Sequence, residues 1–169
     1  MVRILIVDDR ELVRTTIAQL LRRADPNWSV CGEAADGIEA VRQAVELSPD
    51  LIVLDVAMPR MDGVSATREI RALLPDIPIL LYTFYSLPHL DAAAKQAGAN
   101  GVVQKGDSRT LIAEIRRLLA GAKNSAQSLS AAAGSADSNL SVAMAAEASK
   151  GQESQAEGEE LAETDAEGE

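Results

Sequence analysis

Asp8 and Asp9 directly follow the apolar run Ile4, Leu5, Ile6, Val7, and Asp55 directly follows Leu51, Ile52, Val53, Leu54. A short apolar run bounded by polar residues reads as a buried parallel strand, so two such strands side by side would deliver all three acids to one sheet edge. Carboxylates gathered in this way repel one another and persist mainly where a hard cation neutralises them. An all-oxygen donor set suits Mg²⁺ better than softer metals. An isolated Asp8 or Asp9 could equally cap the helix that follows, and Asp55 could be a turn residue. The tandem of acids, and the placement of all three after fully apolar runs, favour a divalent-cation pocket.

The elements that must position these acids are legible along the chain. From Arg3 to Gly121, short apolar runs alternate with stretches of helical period. Val13, Ile17, Leu20 and Leu21 line one face of a first helix. A second strand is expected at Ser29–Ala34, the least apolar of the set and therefore an edge strand. Asp36 and Glu39 form a capping pair for the second helix, whose inner face is expected at Ile38, Val41 and Val45 before Pro49 closes the unit. The third strand, Leu51–Asp55, is the most apolar and should be central; a loop over Val56–Asp62 leads to a helix from Gly63 to about Leu74, which stops before Pro75 and Pro78. A fourth strand at Ile79–Thr83 precedes a helix of small residues from Leu87 to Ala97, ended by Gly98. A brief fifth strand holds Val102 and Val103 and ends at Lys105, and a last helix carries Leu111, Ile112, Ile115, Leu118 and Leu119. Five strands, each followed by a helix, predict an α/β fold: a parallel sheet covered on both faces with right-handed crossovers. Ligands in such sheets bind beyond the carboxyl ends of the strands. Asp8, Asp9, Asp55, Thr83 and Lys105 all fall there.

Composition divides the chain. Residues 1–121 carry 14 Lys plus Arg against 16 Asp plus Glu, a balance of −2, whereas residues 122–169 carry 2 against 10, a balance of −8. The acidity belongs to the Ala, Ser and Glu-rich second part, expected to be disordered apart from a marginal helix around Ser141–Lys150, because it lacks the apolar residues needed to offset ordering entropy. That tail is read either as a solubilising segment or as one that orders on a partner, and its sign argues against nucleic-acid binding. Aromatics make up only 2% of the chain, so the core must be aliphatic. The lone Cys31 allows no internal disulfide and gives no zinc spacing; it is expected to be a small buried residue on a strand, consistent with a reducing compartment. With no run of 18 apolar residues and an amino terminus too short for a signal peptide, a cytoplasmic protein without membrane contact is expected.

The ordered set Asp8 and Asp9, Asp55 followed by Met58, Pro59, Met61, Asp62 and Gly63, then Thr83, then Lys105, resembles the receiver domain of two-component response regulators over residues 1–121. The stretch from Ser48 to Gly63 is most similar to the branch usually fused to a helix-turn-helix output module. The resemblance implies a doubly wound (βα)5 flavodoxin-like fold with strand order 2-1-3-4-5. It implies that Asp55 is the phosphoacceptor, attacking a phosphohistidine on a histidine kinase or phosphotransfer protein and becoming an acyl phosphate. Asp8, Asp9, Asp55 and the backbone carbonyl of Ala57 would hold Mg²⁺, Lys105 would be the cation at the phosphoryl group, and the Thr83 hydroxyl its hydrogen-bond donor. Output is expected through protein contacts, either with a downstream target or in a homodimer, by way of helix four, strand five and helix five. No helix-turn-helix pattern follows Gly121, so direct nucleic-acid binding is not expected and a stand-alone receiver is.

Four positions depart from the pattern. Gly106 stands where receivers commonly carry proline after the lysine, and Val102 where they carry an aromatic switch residue. Ala57 and Tyr85 replace flanking residues that are more often polar and tune acyl-phosphate lifetime, from which slow self-dephosphorylation is expected. A degenerate receiver acting as an unphosphorylated scaffold is the alternative that Val102 and Gly106 keep open. A Mg²⁺-dependent phosphohydrolase with an aspartyl nucleophile is another, weakened by Ala57, because such enzymes generally place a second acid there. The chain is accordingly read as a signalling domain and not as an enzyme.

Overall fold

The computed structural model describes residues 1–84 and 87–122. Tyr85 and the tail beyond residue 122, with its expected helix at Ser141–Lys150, lie outside the described residues. The order is β1 (Val2–Val7), α1 (Glu11–Ala24), β2 (Trp28–Ala34), α2 (Gly37–Leu47), β3 (Leu51–Leu54), α3 (Gly63–Leu73), β4 (Ile79–Thr83), α4 (Leu87–Ala97), β5 (Gly101–Gln104) and α5 (108–122). The five strands are parallel in the order β2-β1-β3-β4-β5. The predicted doubly wound sheet is therefore present, with β3 at its centre and β2 at an edge.

Strand alternation splits the core in two. Ile4 and Ile6 of β1, Leu51 and Val53 of β3 and Leu80 and Tyr82 of β4 point to one face, where Ile17, Leu21, Leu111 and Ile115 cover them. Leu5, Val7, Ile52, Leu54, Ile79 and Leu81 point to the other, under Ala40, Ala44, Ala66 and Ile70. Because both faces are buried, the strands read as continuous apolar runs rather than as alternating ones.

The second helix departs from expectation. Ile38 and Val45 are each 50% exposed and Val41 is only partly covered, while Gly37, Ala40 and Ala44 are buried. Small residues let this helix pack close: a Cβ at Gly37 would meet the Met61 side chain and carbonyl within 2.9 Å. Larger side chains on that face would hold α2 away from the sheet and from the loop after β3. Cys31 is partly rather than fully buried, and burial pushes its thiol up against the opposing influence of Arg3.

Caps define the helix starts. The Asp36 carboxylate accepts the Glu39 N–H at 3.0 Å, and the Glu39 carboxylate returns to the Ala35 N–H at 3.1 Å, one residue earlier than in the usual reciprocal box. Asp62 caps α3 by accepting the Val64 and Ser65 N–H groups at 2.9 Å and the Ser65 hydroxyl at 2.7 Å. Partial burial opposes the Asp62 charge, but these hydrogen bonds outweigh it and hold the carboxyl below the usual carboxylate range. A depressed folded-state pKa means that its stabilisation is complete above the unfolded value near 4 and is lost as pH falls through the folded one. Asp62→Ala should therefore lower stability in urea by about 1 kcal/mol at neutral pH, and the gap from wild type should close on acidification.

At the opposite end, Arg71 of α3 ties three chain segments together. It donates to the Gly98 carbonyl at 2.8 Å, the Pro75 carbonyl at 2.5 Å and the Asn100 side-chain oxygen at 2.9 Å, and that oxygen also accepts the Ile79 N–H. Arg116 of α5 similarly donates to the Ala24 carbonyl at the end of α1. Gly98 turns the chain with φ +92°, a conformation that other residues rarely adopt.

Candidate acidic phosphoryl site

β1 and β3 are neighbours in register, Val7 beside Leu54, and the ladder continues one step beyond both strands: the Asp55 N–H donates to the Val7 carbonyl at 2.8 Å. The acids that follow the two strands are thereby brought together. One carboxylate oxygen from each of Asp8, Asp9 and Asp55 lies within 4.8 Å of the others. Asp8 and Asp55 are 1% and 4% exposed, whereas Asp9 faces solvent, so the cluster opens on the side of Asp9.

Lys105 enters from the far side of the sheet. Its N–H donates to the Thr83 carbonyl at 2.7 Å, which extends the β4–β5 ladder. Its buried ammonium reaches across to Asp8 Oδ2 at 2.5 Å and Asp55 Oδ2 at 2.8 Å. Thr83 is fully buried at the end of β4, between the acids and the lysine in sheet order. Ala57 is exposed on the loop after Asp55. All the predicted site residues that the structure describes thus stand at one end of the sheet.

The charges are unequal in their support. The second oxygen of Asp8 accepts the Arg10 N–H at 3.0 Å, and Asp55 Oδ1 accepts the N–H of Val56 at 2.7 Å. Burial nevertheless pushes the Asp55 carboxyl above its ordinary range, against the hydrogen bond and charge of Lys105, with the charge of Asp8 adding to the rise. The donor chemistry fits a small hard cation: three carboxylates, no sulfur and no imidazole, with one side open to solvent.

The two departures near the lysine have structural counterparts. Gly106 adopts φ +102°, which proline cannot reach, and its N–H donates to the Tyr82 hydroxyl at 3.3 Å, a donor that proline lacks. Glycine here gives the turn a different route, not merely a looser one. Val102 is half-buried against the second core cluster, while the aromatic that approaches the site from β4, Tyr82, packs in the first.

Residue-by-residue reading of the sequence missed Phe84 and Arg10. The Phe84 ring, 57% exposed, has the Arg10 guanidinium at 4.8 Å and the Lys105 ammonium at 5.2 Å from its centroid. One signal was available: three of the four aromatic residues in the chain fall within residues 82–85, at the carboxyl end of one strand. Missed as well was the pair Asp36–Arg60, in which the left-handed Arg60 of the loop after β3 reaches the buried cap of α2.

Comparison with known proteins points in one direction. Residues 4–116 match the family model described as the response regulator receiver domain. The transcriptional regulatory protein LiaR of Bacillus subtilis is 39% identical over 128 residues, 76% of this chain and 60% of that protein. The response regulator GacA of Pseudomonas viridiflava is 37% identical over 73% of this chain and 58% of its own length. The chain therefore spans less than two thirds of the length of these curated relatives. Among solved structures, a LuxR-family two-component response regulator from Aurantimonas sp. SI85-9A1 superimposes with a TM-score of 0.68 at 38% identity, covering 70% of this chain and 85% of that one.

Proposed function

The chain belongs to the response regulator receiver domain family of two-component signalling, and from that premise we propose that Asp55 accepts a phosphoryl group from a phosphohistidine. The observation that carries this reading is the meeting of three carboxylates and one buried ammonium at the carboxyl ends of β1, β3 and β5, with Asp55 Oδ2 at 2.8 Å from Lys105. A carboxylate oxygen of Asp55 attacks phosphorus in line; a P–O bond forms as the P–N bond breaks, and the electron pair leaves on the imidazole nitrogen of the donor. Lys105 balances charge on the transferred oxygens, and the Thr83 hydroxyl donates to one of them. Asp8, Asp9, Asp55 and the carbonyl of Ala57 would hold Mg²⁺, which supplies further neutralisation of the phosphoryl charge when bound.

The partners in this reading are a histidine kinase or phosphotransfer protein as donor, and a protein target or second copy met through α4, β5 and α5. Residues 1–121 form the receiver and the acidic segment after them is a separate tail. The scaffold reading is less economical, because it assigns no purpose to burying two acids and a lysine together. Tyr85 is assigned, with Ala57, to the lifetime of the acyl phosphate.

Incubation with acetyl phosphate and Mg²⁺, followed by intact-protein mass spectrometry, should show one added phosphoryl group on wild type and none on Asp55→Asn. The same variant has a stability signature. A raised folded-state pKa contributes stability below the unfolded value that is lost as pH rises through the folded one, so ionised Asp55 opposes folding at neutral pH. Asp55→Asn should shift the urea midpoint upward at pH 7, with the gain shrinking toward pH 4. A lower midpoint would show that Lys105 more than compensates for the burial of this charge.

A further inference from the structure

Arg10 stands at the N-cap of α1 and Arg14 lies one turn further into the helix, and the two are used differently. Arg14 is engaged: it donates to the Asp8 carbonyl at 2.8 Å and to Glu33 at 3.0 Å. No acceptor among the described residues receives a hydrogen bond from the Arg10 guanidinium; its one carboxylate neighbour within 4.0 Å is Asp8 Oδ1, at that limit. What holds it is the Phe84 ring, whose centroid lies 4.8 Å away and which also has the Lys105 ammonium at 5.2 Å. An arginine stacked on an aromatic face keeps its in-plane N–H donors available while its orientation is fixed. Lys105 is 2.8 Å from the nucleophilic carboxylate, so ring, guanidinium and acid cluster share one rim.

Resting on the phosphoacceptor reading above, we propose that Arg10, oriented by Phe84, is a second cationic arm of this site that binds the oxygens of the incoming phosphoryl group beside Lys105. Arg10 touches the donor, and Phe84 is a positioning residue acting through Arg10. The ligand class is a tetrahedral or trigonal oxyanion carrying a phosphoryl charge. With acetyl phosphate as donor, a P–O bond to Asp55 forms as the P–O bond to acetate breaks, and the electron pair leaves as acetate. Arg10 makes no bond that changes in this step; it supplies N–H donors to the equatorial oxygens.

The test uses the full chain with Mg²⁺, two readouts, and the variants Arg10→Ala, Arg10→Lys, Phe84→Leu and Arg10→Ala/Phe84→Leu. The first readout is the acetyl phosphate dependence of Asp55 labelling. The second is occupancy by trifluoroberyllate, an oxyanion mimic, followed by ¹⁹F NMR, which requires no turnover. For Arg10→Ala, the half-saturating concentrations of both probes should rise about tenfold, with the saturated labelling rate changed less. Arg10→Lys should recover part of that loss, because the charge remains but the planar fork does not. Phe84→Leu, which keeps apolar bulk but removes the ring face, should weaken both probes, and the double variant should be no worse than Arg10→Ala. If wild type is labelled but Arg10→Ala stays within about twofold of it for both probes, the arginine arm is overturned while the phosphoacceptor reading stands. If the two single effects multiply in the double variant, the role of Phe84 is overturned. If wild type itself takes no phosphoryl group, both readings fall together.

Discussion

Replacing Gly63 with alanine should unfold the phosphoryl end of the molecule more effectively than any conservative change to the acids themselves. A Cβ at this position would lie 2.0 Å from the Asp55 carbonyl oxygen and 2.9 Å from the Asp55 carbonyl carbon and the Val56 Cα. These are backbone atoms, so no rotamer change relieves the clash, and either the start of α3 or the Asp55 peptide must move. Overpacking against backbone costs about 3 kcal/mol, and any shift of Asp55 also disrupts its register with Val7 and its approach to Lys105. Urea denaturation should show that loss, and labelling by acetyl phosphate should fall sharply even in the folded fraction. A well-folded Gly63→Ala protein with wild-type labelling would show that the loop after β3 can yield without moving Asp55.

The second large effect is expected at Lys105. Lys105→Met keeps the length of the side chain and removes the charge, leaving Asp8 and Asp55 buried together without their shared ammonium. Breaking a buried ion cluster by removing one partner costs about 3 kcal/mol, because the remaining charges keep their desolvation penalty. The loss should be greatest in the absence of divalent cation at neutral pH. It should diminish on adding MgCl₂, and again on acidification as Asp55, whose carboxyl burial holds above its ordinary range, takes up a proton. Paired denaturation curves with EDTA and with Mg²⁺ measure this directly. A loss below about 1 kcal/mol in EDTA would mean that water reaching in past Asp9 already solvates the two acids.

How far such effects could be anticipated from residue order varied with the kind of signal. β4 and α4 were bounded correctly because Pro78 and Gly98 punctuate them, and a positive φ at Gly98 is a requirement that composition announces. The acid cluster was legible because each acid interrupts a buried run, and parallel pairing leaves little freedom in where such residues emerge. The inner face of α2 was misread because apolar periodicity weights Ile38 and Val45 above Gly37, Ala40 and Ala44, whereas close packing against Met61 favours the small residues. The stack of Arg10 on Phe84 was out of reach for a different reason. It joins the start of α1 to the end of β4, residues 74 positions apart in the chain, through a contact with no periodic signature.

The Arg71 latch gives the molecule two chemically distinct poles. At one pole, side-chain carboxylates meet side-chain cations or helix N–H groups: Asp8 and Asp55 at Lys105, Asp36 at Arg60, and Asp62 at the start of α3. At the other, guanidinium groups at Arg71 and Arg116 grip main-chain carbonyls. Charge is therefore distributed asymmetrically over this domain: substitutions or ions that alter charge act at the signalling pole, while the opposite pole is fastened by main-chain acceptors that carry no charge to lose.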